Sequence, residues 1–241
     1  MSSIDPMVLP SCDVLAFGAH PDDVEIACGG SLLLMKQAGM SVAVVDCTRG
    51  EMGSRGTAVE RDQEADAAAK ALDLDARGNL GLGDTSIRDD DRSTDLIIAT
   101  MRAVCPQVVF APHERDLHPD HTNASKLIKR AHFLAGLRNY QPQLGKPHRA
   151  TTLLAYPGNQ LVEPTIVVDI TAVVEQKLEA VRCYQSQLAP PERDHLVQGV
   201  DLLERTIIRQ RAMGAMIAAA AGEGFCHDGP LRMANVSWMT P

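Results

Sequence analysis

Short apolar runs alternate along this chain with longer stretches whose apolar positions recur every three or four residues. "VLAF" at Val14 to Phe17, "SVAVVDC" at Ser41 to Cys47 and "QVVFAP" at Gln107 to Pro112 are runs of strand length, the kind that a sheet covered on both faces requires. Between them "SLLLMKQAG", closed by Gly39, "VERDQEADAAAKALDLD" and "DLIIATMRAV" carry helical period and propensity. "NLGLGD" is expected to hold a short third strand. After Pro112 the pattern predicts a helix over "HTNASKLIKRAHFLAGL", strands at "TTLLAY" and "TIVVDI", and helices over "AVVEQKLEAVRCY" and "LLERTIIRQRAMGAMIAAAAG". An irregular segment falls near Gln141 to Arg149. The alternation predicts an α/β fold, a Rossmann-like doubly wound, mostly parallel sheet with helices on both faces. With no repeat and no low-complexity linker, residues 1–241 read as a single domain.

Composition narrows the partners. At 241 residues and 45% hydrophobic the chain can bury a sizeable core, while a formal charge of -8 argues against duplex DNA or an anionic membrane as partner. The six cysteines are scattered without a C-x-x-C pair, so neither a disulfide framework nor a cysteine metal site is indicated. The N-terminus has no basic and apolar leader pattern, and no apolar run is long enough to span a bilayer. A soluble cytoplasmic protein is the expectation.

The chemistry sits in two similar cassettes, "HPDD" at His20 to Asp23 after the first strand and "HPDH" at His118 to His121 after the fourth. Proline disfavours helix in the residue before it and suits the first helical turn, so each histidine should stand at the edge of a helix start. In a sheet of order 3-2-1-4-5 the first and fourth strands are neighbours, and both cassettes would open into the crevice at their carboxyl ends. Two imidazoles and one carboxylate there make a zinc site of the catalytic kind, able to lower the pKa of water to ~7. His20, Asp23 and His121 are the expected ligands, and Asp22 the expected general base. His118, with Asp120 as orienting partner, is placed to stabilise an oxyanion or protonate a leaving amine. Taken singly, an "HPD" is usually a capped helix start; it is the pair on adjacent strands that argues for metal-assisted amide hydrolysis. His113, His132, His148, His195 and His227 stand alone and are expected to be surface or satisfied residues.

"AHPDDVEIACGG" and "HPDHTNAS" resemble the motifs of the LmbE-like, or PIG-L-type, zinc deacetylases. "TRGEMGSRGT", "ERDQEADAAAKALDL" and "YQSQ" extend the resemblance to the bacillithiol-biosynthesis branch, over about Asp13 to Gln187. That resemblance implies a Rossmann-like sheet, one Zn2+ (or another divalent ion) per chain, a homohexamer, and deacetylation of an N-acetylglucosamine (GlcNAc) conjugate, N-acetylglucosaminyl malate in that branch. It assigns the same roles to His20, Asp22, Asp23, His118, Asp120 and His121. One departure stands out: the branch usually has arginine before HPDH, where this chain has Leu117, with Arg115 and Arg138 as substitutes. Arg55, in a glycine-containing loop after the second strand, is the expected grip on a substrate anion, and Glu51 beside it a structural residue. Chitobiose-like or thiol conjugates are alternative substrates, and a non-catalytic metal-binding protein is the rival class, though it has no use for Asp22. A nucleotide-binding protein is disfavoured because neither G-x-G-x-x-G nor a P-loop follows the first strand.

Overall fold

The computed structural model describes residues 8–188 and 201–231. Five strands, β1 (Val14–Gly18), β2 (Val42–Asp46), β3 (Ala76–Asn79), β4 (Val108–Pro112) and β5 (Thr152–Tyr156), form a parallel sheet in the expected order β3-β2-β1-β4-β5. Successive side chains go to opposite faces, and both faces are covered. Leu15, Phe17, Val45 and Val109 pack beneath α3 (Asp91–Val104) and α4 (Pro119–Ala135). Ala16, Val42, Val44 and Phe110 pack beneath α1 (Asp23–Gln37). Continuous valine runs in β2 and β4 therefore have a partner layer on each side, which is why they show no polar alternation.

The remaining elements are α2 (Ala58–Ala71), α5 (Val174–Arg182), α6 (Gln185–Leu188), α7 (Leu202–Ala215), and an antiparallel ribbon of β6 (Ile166–Asp169) and β7 (Gly222–Phe225). Phe225 packs against Phe110 with ring centroids 5.1 Å apart and planes tilted by 60°, and Cys226 exchanges two backbone hydrogen bonds with Ala155. The ribbon thereby protects the β5 edge. Among the described residues no helix is long and apolar enough to cross a membrane.

Three boundaries differ from the sequence expectation. α1 begins at Asp23, eight residues before "SLLLMKQAG". β3 is "ARGN", ahead of "NLGLGD"; its side chain facing the interior is Arg77, paired to Asp46, so no apolar run marks it. The last helix stops at Ala215, and the alanine-rich stretch after it turns through Ala218 at φ 58 into β7. A Cβ on Gly222 would stand 2.8 Å from Gly214 N, so the two backbones meet where no side chain fits. Strand pairing with β6 overrides the helical propensity of alanine there.

Candidate active site

Val14 pairs with Val108 and Ala16 with Phe110, so the segments after β1 and β4 emerge side by side. The two cassettes are nonetheless built differently. After β1, His20, Pro21 and Asp22 form a turn, and Asp22 caps α1 with φ at 113, a left-handed conformation that costs a residue with a Cβ about 1–3 kcal/mol. After β4, His118 is itself the N-cap of α4, extended, with Pro119 in the first turn. Its Nδ1 accepts the Asp120 backbone N–H at 3.2 Å.

The structure brings the three expected ligands together. His20 Nδ1 lies 3.6 Å from Asp23 Oδ2, and His121 Nε2 lies 3.3 Å from Asp23 Oδ1, so one carboxylate sits between two imidazoles. The outward ring nitrogens face carboxylates: His20 Nε2 is 3.1 Å from Asp84 Oδ1 and 3.4 Å from Asp120 Oδ2, and His121 Nδ1 is 3.3 Å from Asp116 Oδ2. This is the arrangement in which an outer carboxylate fixes ring orientation and tautomer of a ligating histidine. His118 is close as well, its ring centroid 4.7 Å from that of His20 and 5.1 Å from that of His121. His20, His118 and His121 form one group whose ligand atoms lie within 4.8 Å of one another, and His20, Asp84 and Asp120 form another.

Electrostatics favour a cation at this point. Burial alone would pull His20 and His121 down, but the carboxylates of Asp120, Asp23 and Asp84 push His20 up to about 12, and Asp23 with Asp116 pushes His121 up to about 10. Two imidazoles and a carboxylate that draw protons this strongly are a donor set suited to a divalent transition metal, which competes for the same lone pairs. His118 goes the other way, lowered by burial and then by the charges of His20 and His121. Burial also pushes Asp22 up to about 7, against the pull of Arg61, whose Nη2 is 3.3 Å from Asp22 Oδ2.

The group opens into a cleft of about 400 Å³ whose walls include Asp22, Met52, Thr85, His118, Asn159 and Gln187. Arg55 is not on those walls. Its Nη1 donates to the Gln187 carbonyl at 3.1 Å, and Gln187 Nε2 donates back to the Arg55 carbonyl at 3.0 Å. The Asp120 carboxylate, expected beside His118, instead accepts the Thr85 N–H at 2.7 Å and faces His20; it reaches His118 only through its backbone N–H. Leu117 is 77% exposed, Arg115 and Arg138 are exposed, and none of them lines the cleft. Glu51 accepts the backbone N–H groups of Arg49 and Asp84, a structural clasp. His132 and His148 bond to backbone carbonyls, at Ala150 and Pro106, while His195 lies outside the described residues. Sequence reasoning missed Arg61, Asp84 and Asp116. For Asp116 the available signal was slight, an acidic residue two positions before "HPDH"; Arg61 and Asp84 carried none.

The profile of the family described as "PIG-L: GlcNAc-PI de-N-acetylase" matches residues 15–132, which hold both cassettes. A diacetylchitobiose deacetylase from Thermococcus kodakarensis is 30% identical over 72% of this chain and 69% of its own. The chain belongs to the PIG-L/LmbE-like deacetylase family. A "probable N-acetyl-alpha-D-glucosaminyl L-malate deacetylase 2" from Bacillus cereus is 29% identical over 72% of this chain and 83% of its own. Among solved structures, the conserved protein TT1542 from Thermus thermophilus superposes with a TM-score of 0.83 at 38% identity, covering 94% of this chain and 98% of that one. The likeness to TT1542 thus reaches past the matched profile, into the segment that carries the ribbon and α7.

Proposed function

We propose that this chain is a zinc-dependent N-deacetylase that hydrolyses the acetamide of a GlcNAc conjugate, with N-acetyl-α-D-glucosaminyl L-malate as the substrate. The observation that carries the reading is the convergence of His20, Asp23 and His121 with a largely buried carboxylate, Asp22, that is not needed as a ligand. His20, Asp23 and His121 would hold the zinc ion, which would supply Lewis acidity toward the acetamide carbonyl and toward water. Asp22 takes the proton of the attacking water. A carboxylate at about 7 is matched to that task at neutral pH, and Arg61 keeps it from rising further. His118 is neutral, and because its Nδ1 accepts the Asp120 N–H, its remaining proton is on Nε2. That N–H donates to the carbonyl oxygen as negative charge develops, and Asp22, holding the proton taken from water, delivers it to the leaving amine. Asp116 holds the His121 ring, while Asp84 and the Asp120 carboxylate hold that of His20. The proposed setting is the cytoplasm and the proposed assembly a homohexamer, which light scattering would check.

The test is a panel of N-acetylglucosaminides with malate, sugar, thiol and neutral aglycones, read as free amine. Release from the malate conjugate, abolished by a chelator and restored by zinc, is expected; a better sugar conjugate would move the substrate toward chitobiose. No release from any conjugate at full metal occupancy would leave a metal-binding protein without catalysis. Asp23→Ala and His121→Ala are each expected to lower zinc affinity by at least about tenfold, and His118→Ala to keep it. Zinc loss in the last variant would put His118 among the ligands.

A further inference from the structure

A second, smaller cavity of about 50 Å³ adjoins the cleft on the far side of the ligand group and shares Asp23, Ile26, His121, Asn159 and Leu202 with it. At roughly 10–15 Å³ for one water, that space holds about three to five water-sized groups, a range that includes the four heavy atoms of a two-carbon acid. Its wall combines apolar Ile26, Ala27, Tyr156 and Pro157 with Arg205 and Arg209 of α7, beside Asp23 and His121. The arginines stand four apart on one helix, where like charges repel. Among the described residues neither has an ion-pair partner, and the one side-chain hydrogen bond of Arg209 goes to the Pro157 carbonyl at 3.2 Å. Arg209 is largely desolvated; burial, and then Arg205, pull it below its ordinary value. The opposite charges it senses are Asp116 and Asp23, the second of which also lines the cavity. A guanidinium held this way, lining a small half-apolar space with one hydrogen bond to a backbone carbonyl among the described residues, has the makings of a carboxylate subsite.

Resting on the deacetylase reading, we propose that this cavity is the product pocket for the acid half of the reaction and that Arg209 binds the carboxylate of acetate. The reaction itself supplies the reason. Hydrolysis breaks the amide C–N bond, places the water oxygen on the acyl carbon, and sends protons to the amine, so a neutral acetyl group becomes an anion beside the Asp22, Asp23 and Asp116 carboxylates. Those groups disfavour a free anion, so it needs a cation beside it, and Arg205 and Arg209 are the arginines that line the smaller cavity and not the sugar cleft. Ile26, Ala27 and Tyr156 receive the methyl group. The two halves of the substrate then leave by different openings, amine through the wide cleft and acid through the narrow one.

The zinc-loaded enzyme would be assayed with formate, acetate, propionate and butyrate as product inhibitors, and acetate binding followed independently by line broadening of its methyl resonance. Acetate is expected to bind, butyrate to bind at least about tenfold more weakly for want of room, and Arg209→Met to weaken acetate by at least about tenfold. Arg209→Lys keeps the charge but not the fork and should retain more acetate affinity than Arg209→Met, which separates lost charge from a damaged fold. Acetate affinity unchanged in Arg209→Met, or rising from acetate to butyrate, would overturn the pocket. Wild-type protein that releases no amine from any conjugate defeats the deacetylase reading instead, and the resonance measurement still decides whether Arg209 holds a carboxylate.

Discussion

Asp22 combines two unfavourable features, a left-handed backbone at φ 113 and a carboxylate that burial pushes up to about 7. Such features persist where the surroundings over-determine them, and here Arg61 supplies the constraint, donating to the Pro21 carbonyl and standing 3.3 Å from the carboxylate. Asp22→Asn should keep bound metal and slow turnover by roughly 100-fold or more, the usual contribution of a positioned base; a near-normal kcat would place the base elsewhere. Arg61→Met tests the pairing. Its cation lowers the Asp22 pKa, so removing it raises that pKa, and because the base must be ionised, the acid limb of kcat/KM should move to higher pH. An unmoved limb would uncouple Arg61 from Asp22. Asp22 was legible in the sequence because adjacent carboxylates after an apolar strand have no packing role. Arg61 was not, since its neighbours in "VERDQ" are as polar as any solvated helix face and only the fold turns it inward.

The loop from Thr48 to Thr57 shows how an element can serve the site without its most conspicuous residue touching substrate. Gly50 and Gly56 take φ of +66 and +70, and a Cβ there would stand 2.7 Å from Arg61 Nε and from Ser186 Oγ respectively, so the glycines let the loop close against α2 and α6. The reciprocal bonds between Arg55 and Gln187 fasten it, and Gln187 lines the cleft. Arg55→Met should therefore lower kcat/KM for malate and neutral conjugates alike, by about tenfold for the loss of a charge-assisted bond. A loss confined to the acidic conjugate would return Arg55 to contact with the anion. The glycines and the arginine could be read from sequence, but not which way the arginine points, because its partner lies 132 positions away. The same distance effect hid β7: alternation and period report local burial, and Gly222–Phe225 is a strand only because β6 lies beside it.

At the scale of the whole molecule the site rests on a buried charge network that no apolar pattern could reveal. Arg77 of β3 pairs with Asp46 of β2 at 2.9 Å and with Glu25 of α1, and all three side chains are at most 3% exposed. A Cβ on Gly18 would come within 2.9 Å of Asp46 Oδ1, so the network lies directly under the turn that carries His20. Removing one member leaves the others as uncompensated buried charges, and Arg77→Met is expected to cost about 3–5 kcal/mol at neutral pH. The cost should depend on pH, with a definite sign. Burial already pushes Asp46 up to about 6 despite the attraction of Arg77, and without that attraction its folded pKa rises further. A carboxylate whose folded pKa exceeds its unfolded value binds its proton more tightly when folded, so stability is gained as pH falls through the folded pKa toward the unfolded one. Urea unfolding of Arg77→Met should thus show a smaller deficit against the parent chain at about pH 5 than at about pH 7.5. Adding Asp46→Asn and Glu25→Gln to the variant removes both stranded charges, and should recover much of the loss at the higher pH with little further change on acidification. A deficit equal at both pH values would mean that Arg77 supports the sheet through packing and not through its charge.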